Sequence, residues 1–64
     1  MTIERVEWDE YDYANGTVAR KRGTVIKWEV VDEYTAVAII RTDDKRYTVR
    51  DVRDLKHIGY GNPL

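Results

Sequence analysis

Three turn signals divide the chain into short segments that have the composition of β-strands. Asn15-Gly16 favours the positive φ angles of a tight turn, while Asp32–Tyr34 and Asp43–Lys45 supply acidic side chains that hydrogen-bond turn backbones. The intervening segments are rich in valine, isoleucine, threonine, tyrosine and tryptophan, which suit a pleated, half-buried surface. The spacing of apolar residues becomes helical only over Asp51–Leu55, where it predicts one helical turn. The chain is therefore expected to be all-β.

The length of the chain limits the size of its core. Its 64 residues form at most one domain, near the lower limit for independent folding, and no cysteine is present to form disulfides or bind zinc. Trp28 is predicted to be the main packing residue because Ile26 and Val30 flank it on one strand face. Trp8 is expected to be an exposed contact residue. The predicted core comprises Val18, Val25, Ile26, Trp28, Val30, Val37, Ile39, Tyr47, Val49, Val52, Leu55 and Ile58.

Charge is unevenly distributed, although the formal net charge is only −1. Residues 1–14 carry five acidic side chains against one arginine, and residues 15–64 carry ten basic against seven acidic side chains. Three interpretations of the acidic segment are open. It binds a basic partner, it covers arginines of its own domain, or it is a solvated edge strand whose charge prevents aggregation.

The order of the elements resembles a small SH3-like barrel, most closely the KOW and Tudor-like versions. The resemblance rests on the run Gly23–Trp28, a hairpin, the apolar segment Ala36–Ile40, an acidic turn, Tyr47–Val49 and the leucine-containing turn Val52–Leu55. It covers roughly residues 15–58, and the layout is also similar to that of several small phage and prophage proteins.

This resemblance implies a five-stranded SH3-like small barrel with one short helical turn before the last strand. An open OB-like sheet or another small meander is the alternative. The expected organisation is a single domain, in which residues 1–14 form an acidic strand or arm, 15–58 the barrel and 59–64 a flexible tail. The basic run between Thr17–Arg20 and the long strand Thr24–Val31 is predicted to be a connection, with Gly23 where a side chain would not fit.

Enzymatic chemistry is poorly supported by the residue types present. The chain has no serine and no cysteine, and its one histidine, His57, has no evident catalytic partner. Gly16 and Gly23 are not followed by the residues of a phosphate-binding loop, and Asp43-Asp44 lacks further metal ligands at loop spacing. We therefore predict a protein that is not an enzyme and uses no cofactor or metal.

Binding to another macromolecule is the function that these residues favour. The first prediction is an interaction module that binds another protein, and the phage resemblance implies a regulatory protein that engages a host factor. The alternatives are a nucleic-acid-binding barrel and a structural subunit of a larger assembly. Arginine suits phosphate contacts, but the sequence pI of about 5.7 is low for a nucleic-acid-binding domain. The candidate partner-binding residues are Arg20, Lys21, Arg22, Arg46, Arg50, Arg53, Trp8 and Tyr34.

The sequence also bears on cellular location. The first ten residues are charged throughout, unlike a signal peptide, and the longest apolar run, Ala36–Ile40, is too short to cross a membrane. A cytoplasmic protein without membrane contact is therefore expected.

Overall fold

Five antiparallel strands and one 3-10 turn make up the fold. The computed structural model describes residues 3–61. The strands lie side by side in the order β4-β3-β2-β1-β5. This arrangement confirms the predicted all-β class and the helical turn before the last strand. The elements are β1 (Ile3–Asp12), β2 (Thr17–Val30), β3 (Ala36–Thr42), β4 (Tyr47–Asp51), the 3-10 turn (Val52–Asp54) and β5 (Lys56–Gly61).

The long strand β2 connects the two halves of the sheet. Its first half pairs with β1 and its second half with β3, and both ladders include Gly23 and Thr24. The basic run predicted to be a connection is therefore strand, because its backbone pairs with the acidic β1. A bulge between Val25 and Lys27 then redirects β2 along β3.

Gly23 lies where β2 joins the two ladders. A Cβ atom at this position would be 2.5 Å from Ile40 Cγ2 and 2.7 Å from the Arg41 carbonyl oxygen. Neither distance is tolerable for a carbon atom, so the predicted absence of space for a side chain is confirmed. The missing side chain lets Ile40 of β3 pack directly over β2.

The sheet is open, which corrects the prediction of a closed barrel. Strands β4 and β5 form its two edges, and the described residues contain no ladder between them. Closure requires the edge strands to be long enough and staggered enough to pair. Here β4 has only five residues and passes directly into the 3-10 turn that leads to β5.

The terminal segments are more regular than the sequence suggested. Residues 3–12 form a strand rather than a mobile arm, since β2 pairs with residues 5–12 and β5 pairs with residues 3–7. Strand β5 continues through Gly59–Gly61, which had been assigned to the flexible tail. The remaining tail residues, 62–64, lie outside the described residues, as do residues 1 and 2.

The core occupies one concave face of the sheet. Val6 and Trp8 of β1 meet Ala38 and Ile40 of β3. Trp8 is 3% exposed and Trp28 is 43% exposed, so the predicted roles of the two tryptophans are reversed. The reason is position: β1 has β2 beside Trp8, whereas Trp28 lies beyond the bulge, where β2 has lost β1 as a neighbour.

The predicted core residues are mostly outside this core. Only Val25 and Leu55 pack against it. The register pairs Val25 with Ile40, so β3 directs Ala38 and Ile40 inward and its other apolar residues to the opposite face. As a result, Val37, Ile39 and Val52 are only partly buried, and exposed positions are occupied by Val18, Ile26, Trp28, Val30, Tyr47, Val49 and Ile58.

Candidate functional site

The acidic strand β1 neutralises the basic half of β2. Glu7 is 5% exposed, and it accepts hydrogen bonds from Arg20 Nη1 at 3.1 Å and Arg22 Nε at 3.3 Å. Arg20 Nε also donates to Asp9 at 3.0 Å, and this carboxylate raises the pKa of Arg20. The antiparallel register places Glu7 opposite Arg22 and Asp9 opposite Arg20. Of the three interpretations of the acidic segment, the structure therefore shows that it covers arginines of its own domain.

Two further predicted arginines are paired elsewhere. Arg50 contacts Glu10, and its guanidinium carbon lies 5.8 Å from the centroid of the Trp8 ring, within cation–π range. Arg53 lies 3.3 Å from Asp51 at the start of the 3-10 turn, where a hydrogen bond to Asp51 raises the pKa of Arg53. Arg50 shares the concave face with Ala38, whereas Arg20 lies on the opposite face with Glu7. The predicted arginines therefore do not form one patch.

A polar groove brings together three of the predicted contact residues. It encloses about 210 Å³ where β1 and β2 approach the β3–β4 turn. Asp44 accepts a hydrogen bond from the Thr42 hydroxyl, which lowers the pKa of Asp44, and the nearby charges of Lys21 and Arg46 act in the same direction. Within residues 3–61, Lys21 and Arg46 form no ion pair. The groove is lined by Trp8, Glu10, Lys21, Thr42, Asp44, Arg46, Tyr47 and Thr48.

The most apolar exposed surface lies at the turn between β2 and β3, which we call the hairpin tip (residues 28–35). Val30 is 79% exposed and Tyr34 is 84% exposed, while Trp28 and Val31 are also largely open. The turn is ordered by hydrogen bonds from Val31 N to Thr35 O and from Tyr34 N to Asp32 Oδ1, both 2.8 Å long. Its conformation therefore does not depend on covering these apolar side chains.

Sequence reasoning identified only part of the hairpin tip. Tyr34 was a predicted contact residue and is exposed, but Trp28 and Val30 were assigned to the core and Val31 was not singled out. The available signal in the sequence was that both faces of β2 are apolar at its end, which one buried face cannot account for. Trp28 and Val30 pair with Ala38 and Ala36, but β1 accompanies β2 only as far as Thr24, so this end of the strand lies beyond the core.

Metal and membrane sites are not evident in the described part of the chain. Residues 3–61 contain no group of three or more histidine, aspartate or glutamate side chains able to hold a metal ion. No helix over the same residues has the length and apolar character needed to span a membrane. The lone His57 places Nδ1 3.1 Å from Glu4 Oε2 and its ring 4.7 Å from that of Tyr60. These contacts fix the imidazole on the sheet.

Comparison of the chain with protein-family models, curated proteins and solved structures finds no match.

A bidentate ion pair connects β1 to the β3–β4 turn and gives stability a dependence on pH. Arg5 donates from Nη1 and Nη2 to the two carboxylate oxygens of Asp43, each at 2.8 Å, and also to Thr24 Oγ1. The hydrogen bond from Arg5 lowers the pKa of Asp43. A carboxyl whose folded pKa is depressed stabilises the fold above its unfolded pKa, about 3.9 for aspartate, and loses that contribution as the pH falls through the folded value.

We expect the free energy of unfolding of the wild-type protein to decrease below about pH 4. The destabilisation caused by Asp43→Asn should shrink over the same range and disappear once Asp43 is protonated in the folded protein. At pH 7 the substitution should cost about 0.5–1 kcal/mol, because the Asp43 side chain is 55% exposed and water screens the pair. Urea unfolding of both proteins between pH 7 and pH 2.5 measures the difference. Glu33→Gln is the control, since Glu33 has no ion pair within residues 3–61. A cost for Asp43→Asn that stays constant down to pH 2.5 would contradict the assignment.

Proposed function

We propose that the chain is a non-enzymatic interaction module that binds another protein through the hairpin tip. The observation that carries this proposal is the exposure of Trp28, Val30, Val31 and Tyr34 on one ordered turn. Large apolar side chains exposed together in one hairpin of a small protein are a mark of an interaction site. Tryptophan and tyrosine are also the residues most enriched among those that dominate binding energy.

The charges around the hairpin tip indicate the chemistry of the partner. Glu29, Asp32 and Glu33 are acidic, and Lys27 is the one basic residue close to them, 3.4 Å from Glu29. A segment that presents an apolar anchor flanked by lysine or arginine would complement this surface in shape and charge.

Nucleic-acid binding is less well supported than protein binding. A phosphate-binding surface needs several free cations on one side of the molecule. Arg20, Arg22, Arg50 and Arg53 are instead paired with carboxylates and lie on different parts of the sheet.

The SH3-like class remains the proposed fold family. The antiparallel strand order, the bulged long strand and the 3-10 turn before β5 support it. In this proposal the chain has the SH3-like order of elements, while its sheet stays open.

Peptides selected from a random library on the immobilised protein should contain an apolar residue flanked by basic residues. In an NMR titration they should shift the amides of residues 28–35. Tyr34→Ala should weaken binding at least about tenfold, as expected for a residue that dominates an interface. Tyr13→Ala is the matched control, because Tyr13 is a similarly exposed tyrosine in the turn between β1 and β2.

The same spectra, recorded with short single-stranded and double-stranded DNA at low and moderate salt, test the alternative. Amide chemical-shift changes at Lys21 and Arg46 that become smaller as salt rises would indicate binding to phosphate. If the hairpin tip showed no changes in the same spectra, the protein-binding proposal would be overturned in favour of nucleic acid. Absence of any shift with DNA at low salt would end the nucleic-acid alternative.

A further inference from the structure

One edge of β2 has no neighbouring strand. Strand β1 pairs with β2 only as far as Thr24, whereas β3 accompanies β2 to Val30 on the other side. Within residues 3–61, the β1-facing edge of residues 25–30 therefore has no strand beside it. Such an edge presents unpaired backbone groups and is a template for pairing with another chain.

The hydrogen-bonding direction along this edge follows from the turn. Val31 N donates to Thr35 O, so the Val31 amide points toward the β3 side of the hairpin. Because amides alternate in direction along a strand, the N–H groups of Trp28 and Val30 point to the open edge. The edge therefore offers donors and acceptors at alternate residues, as a pairing strand requires.

The side chains of this edge are complementary to themselves in antiparallel order. If two copies pair about a two-fold axis through Trp28, Lys27 of each faces Glu29 of the other, and Ile26 faces Val30. Opposite charges and apolar pairs that lie directly across an antiparallel ladder stabilise it.

From this complementarity we infer that a second copy of the chain occupies the edge, forming a symmetric dimer through residues 26–30 of β2. The two Trp28 residues exchange backbone hydrogen bonds on the axis, and the two sheets join into one. This inference goes beyond the proposed function, because the contact is made by the strand edge and leaves Tyr34 free. It also places two hairpin tips on one assembly, which would increase the avidity for a partner that carries two binding segments.

Neighbouring registers do not have this complementarity. An axis through Lys27 would set two lysines against each other, and an axis through Glu29 would set two glutamates against each other. A shift that places the axis between residues would align the concave face of one copy with the opposite face of the other. Only the axis through Trp28 keeps like faces together and pairs opposite charges.

Other open edges of the described sheet lack this pattern. The second half of β1 is acidic at Asp9, Glu10 and Asp12, and the first half of β2 is basic over Arg20–Arg22, so each would repel its own copy. On β4, pairing about Val49 would set Tyr47 against Asp51. On β5, pairing about Ile58 would set Lys56 against Tyr60. The edge at residues 26–30 is therefore better suited to symmetric self-pairing than these edges.

The test is sedimentation velocity of the full chain between about 1 µM and 1 mM, a range that covers weak dimers. Lys27→Glu and Glu29→Lys should each raise the dimer dissociation constant about tenfold to thirtyfold, because each reverses two symmetric pairs. The double variant K27E/E29K restores both the pairs across the axis and the pair within the chain. Its dimer dissociation constant should therefore lie within about threefold of the wild-type value. Both side chains are more than half exposed, at 62% and 53%, so the monomers should fold. Far-UV circular dichroism verifies the fold.

Amide hydrogen exchange supplies a second readout. Protection of the Trp28 and Val30 amides should rise with protein concentration, whereas that of the Val31 amide, bonded within the turn, should not. A wild-type protein that stays monomeric at 1 mM would overturn the inference. Dimerisation that is insensitive to both single charge reversals would overturn it as well.

The outcomes for dimerisation and for partner binding are separable. Tyr34→Ala should weaken peptide binding at least about tenfold and leave the dimer unchanged, whereas Lys27→Glu should weaken the dimer and leave the Tyr34 contact intact. A wild-type protein that binds the peptides but stays monomeric at 1 mM would refute the dimer alone. Dimerisation without peptide binding at the hairpin tip would refute the proposed function alone.

Discussion

Replacing Gly23 by alanine is expected to cost at least about 3 kcal/mol of unfolding free energy, and replacing it by valine is expected to prevent folding. The added Cβ would lie 2.5 Å from Ile40 Cγ2 and 2.7 Å from Arg41 O. The side chain of Ile40 is fully buried, and the backbone at residue 23 pairs with β1 and β3 at once. Neither neighbour can therefore move without breaking a ladder.

The total stability of a 64-residue domain is about 3–10 kcal/mol, so a loss of this size is a large part of it. Urea unfolding followed by far-UV circular dichroism measures the cost. Gly61→Ala is the matched control, because a Cβ there meets its nearest neighbour, Arg5 Cγ, at an ordinary 3.9 Å. If Gly23→Ala changed stability by less than about 0.5 kcal/mol, a typical surface effect, the packing of Ile40 over Gly23 would be wrong.

The turns could be predicted from the sequence because their determinants are local. Asp12 accepts hydrogen bonds from the backbone N–H groups of Ala14 and Asn15, and Gly16 has the positive φ of +66° that the turn requires. The same holds for the 3-10 turn, where the Asp51 side chain caps the N–H of Arg53 two residues later. Such contacts are complete within a few residues, so the local pattern contains them.

The continuity of β2 could not be predicted in the same way. The run Arg20–Arg22 resembles a solvated connection when it is considered alone. It is a strand because Glu7 and Asp9, on the preceding strand, lie opposite it and neutralise it. This pairing depends on register between two strands, which the local sequence does not specify.

The sequence of β3 alone does not determine which of its two faces points toward the core. Both alternating sets, Val37 with Ile39 and Ala38 with Ile40, are apolar, so periodicity does not distinguish them. The distinction comes from β2, because only the vacant position at Gly23 accommodates Ile40. The exposed end of β2 has a different cause, because Trp28 lies across from the inward-facing Ala38 but beyond the end of the β1 ladder. Apolar residues assigned to the core, including Trp28 and Val30, are those exposed at the hairpin tip.

The reversed roles of the two tryptophans lead to the second large prediction. Trp8→Ala is expected to destabilise the protein by about 3–5 kcal/mol, the cost of removing a buried aromatic side chain. Trp8 is one of only four buried apolar residues in the described core, together with Val6, Ala38 and Ile40. The loss therefore leaves a cavity that few neighbours can fill, and it also removes the ring beside the Arg50 guanidinium.

Trp28→Ala is the matched control and should cost less than about 1.5 kcal/mol, because nearly half of that side chain is already exposed to water. Trp8→Phe should fall between the two alanine variants: it keeps an aromatic ring in the core and removes an indole N–H that has no acceptor within residues 3–61. Urea unfolding should be followed by far-UV circular dichroism, since each substitution changes the tryptophan fluorescence. A larger cost at Trp28 than at Trp8 would mean that the core extends to the end of β2 beyond the bulge, and the hairpin tip would then no longer offer an apolar contact surface. The same pair of variants therefore tests both the core and the surface on which the proposed function depends.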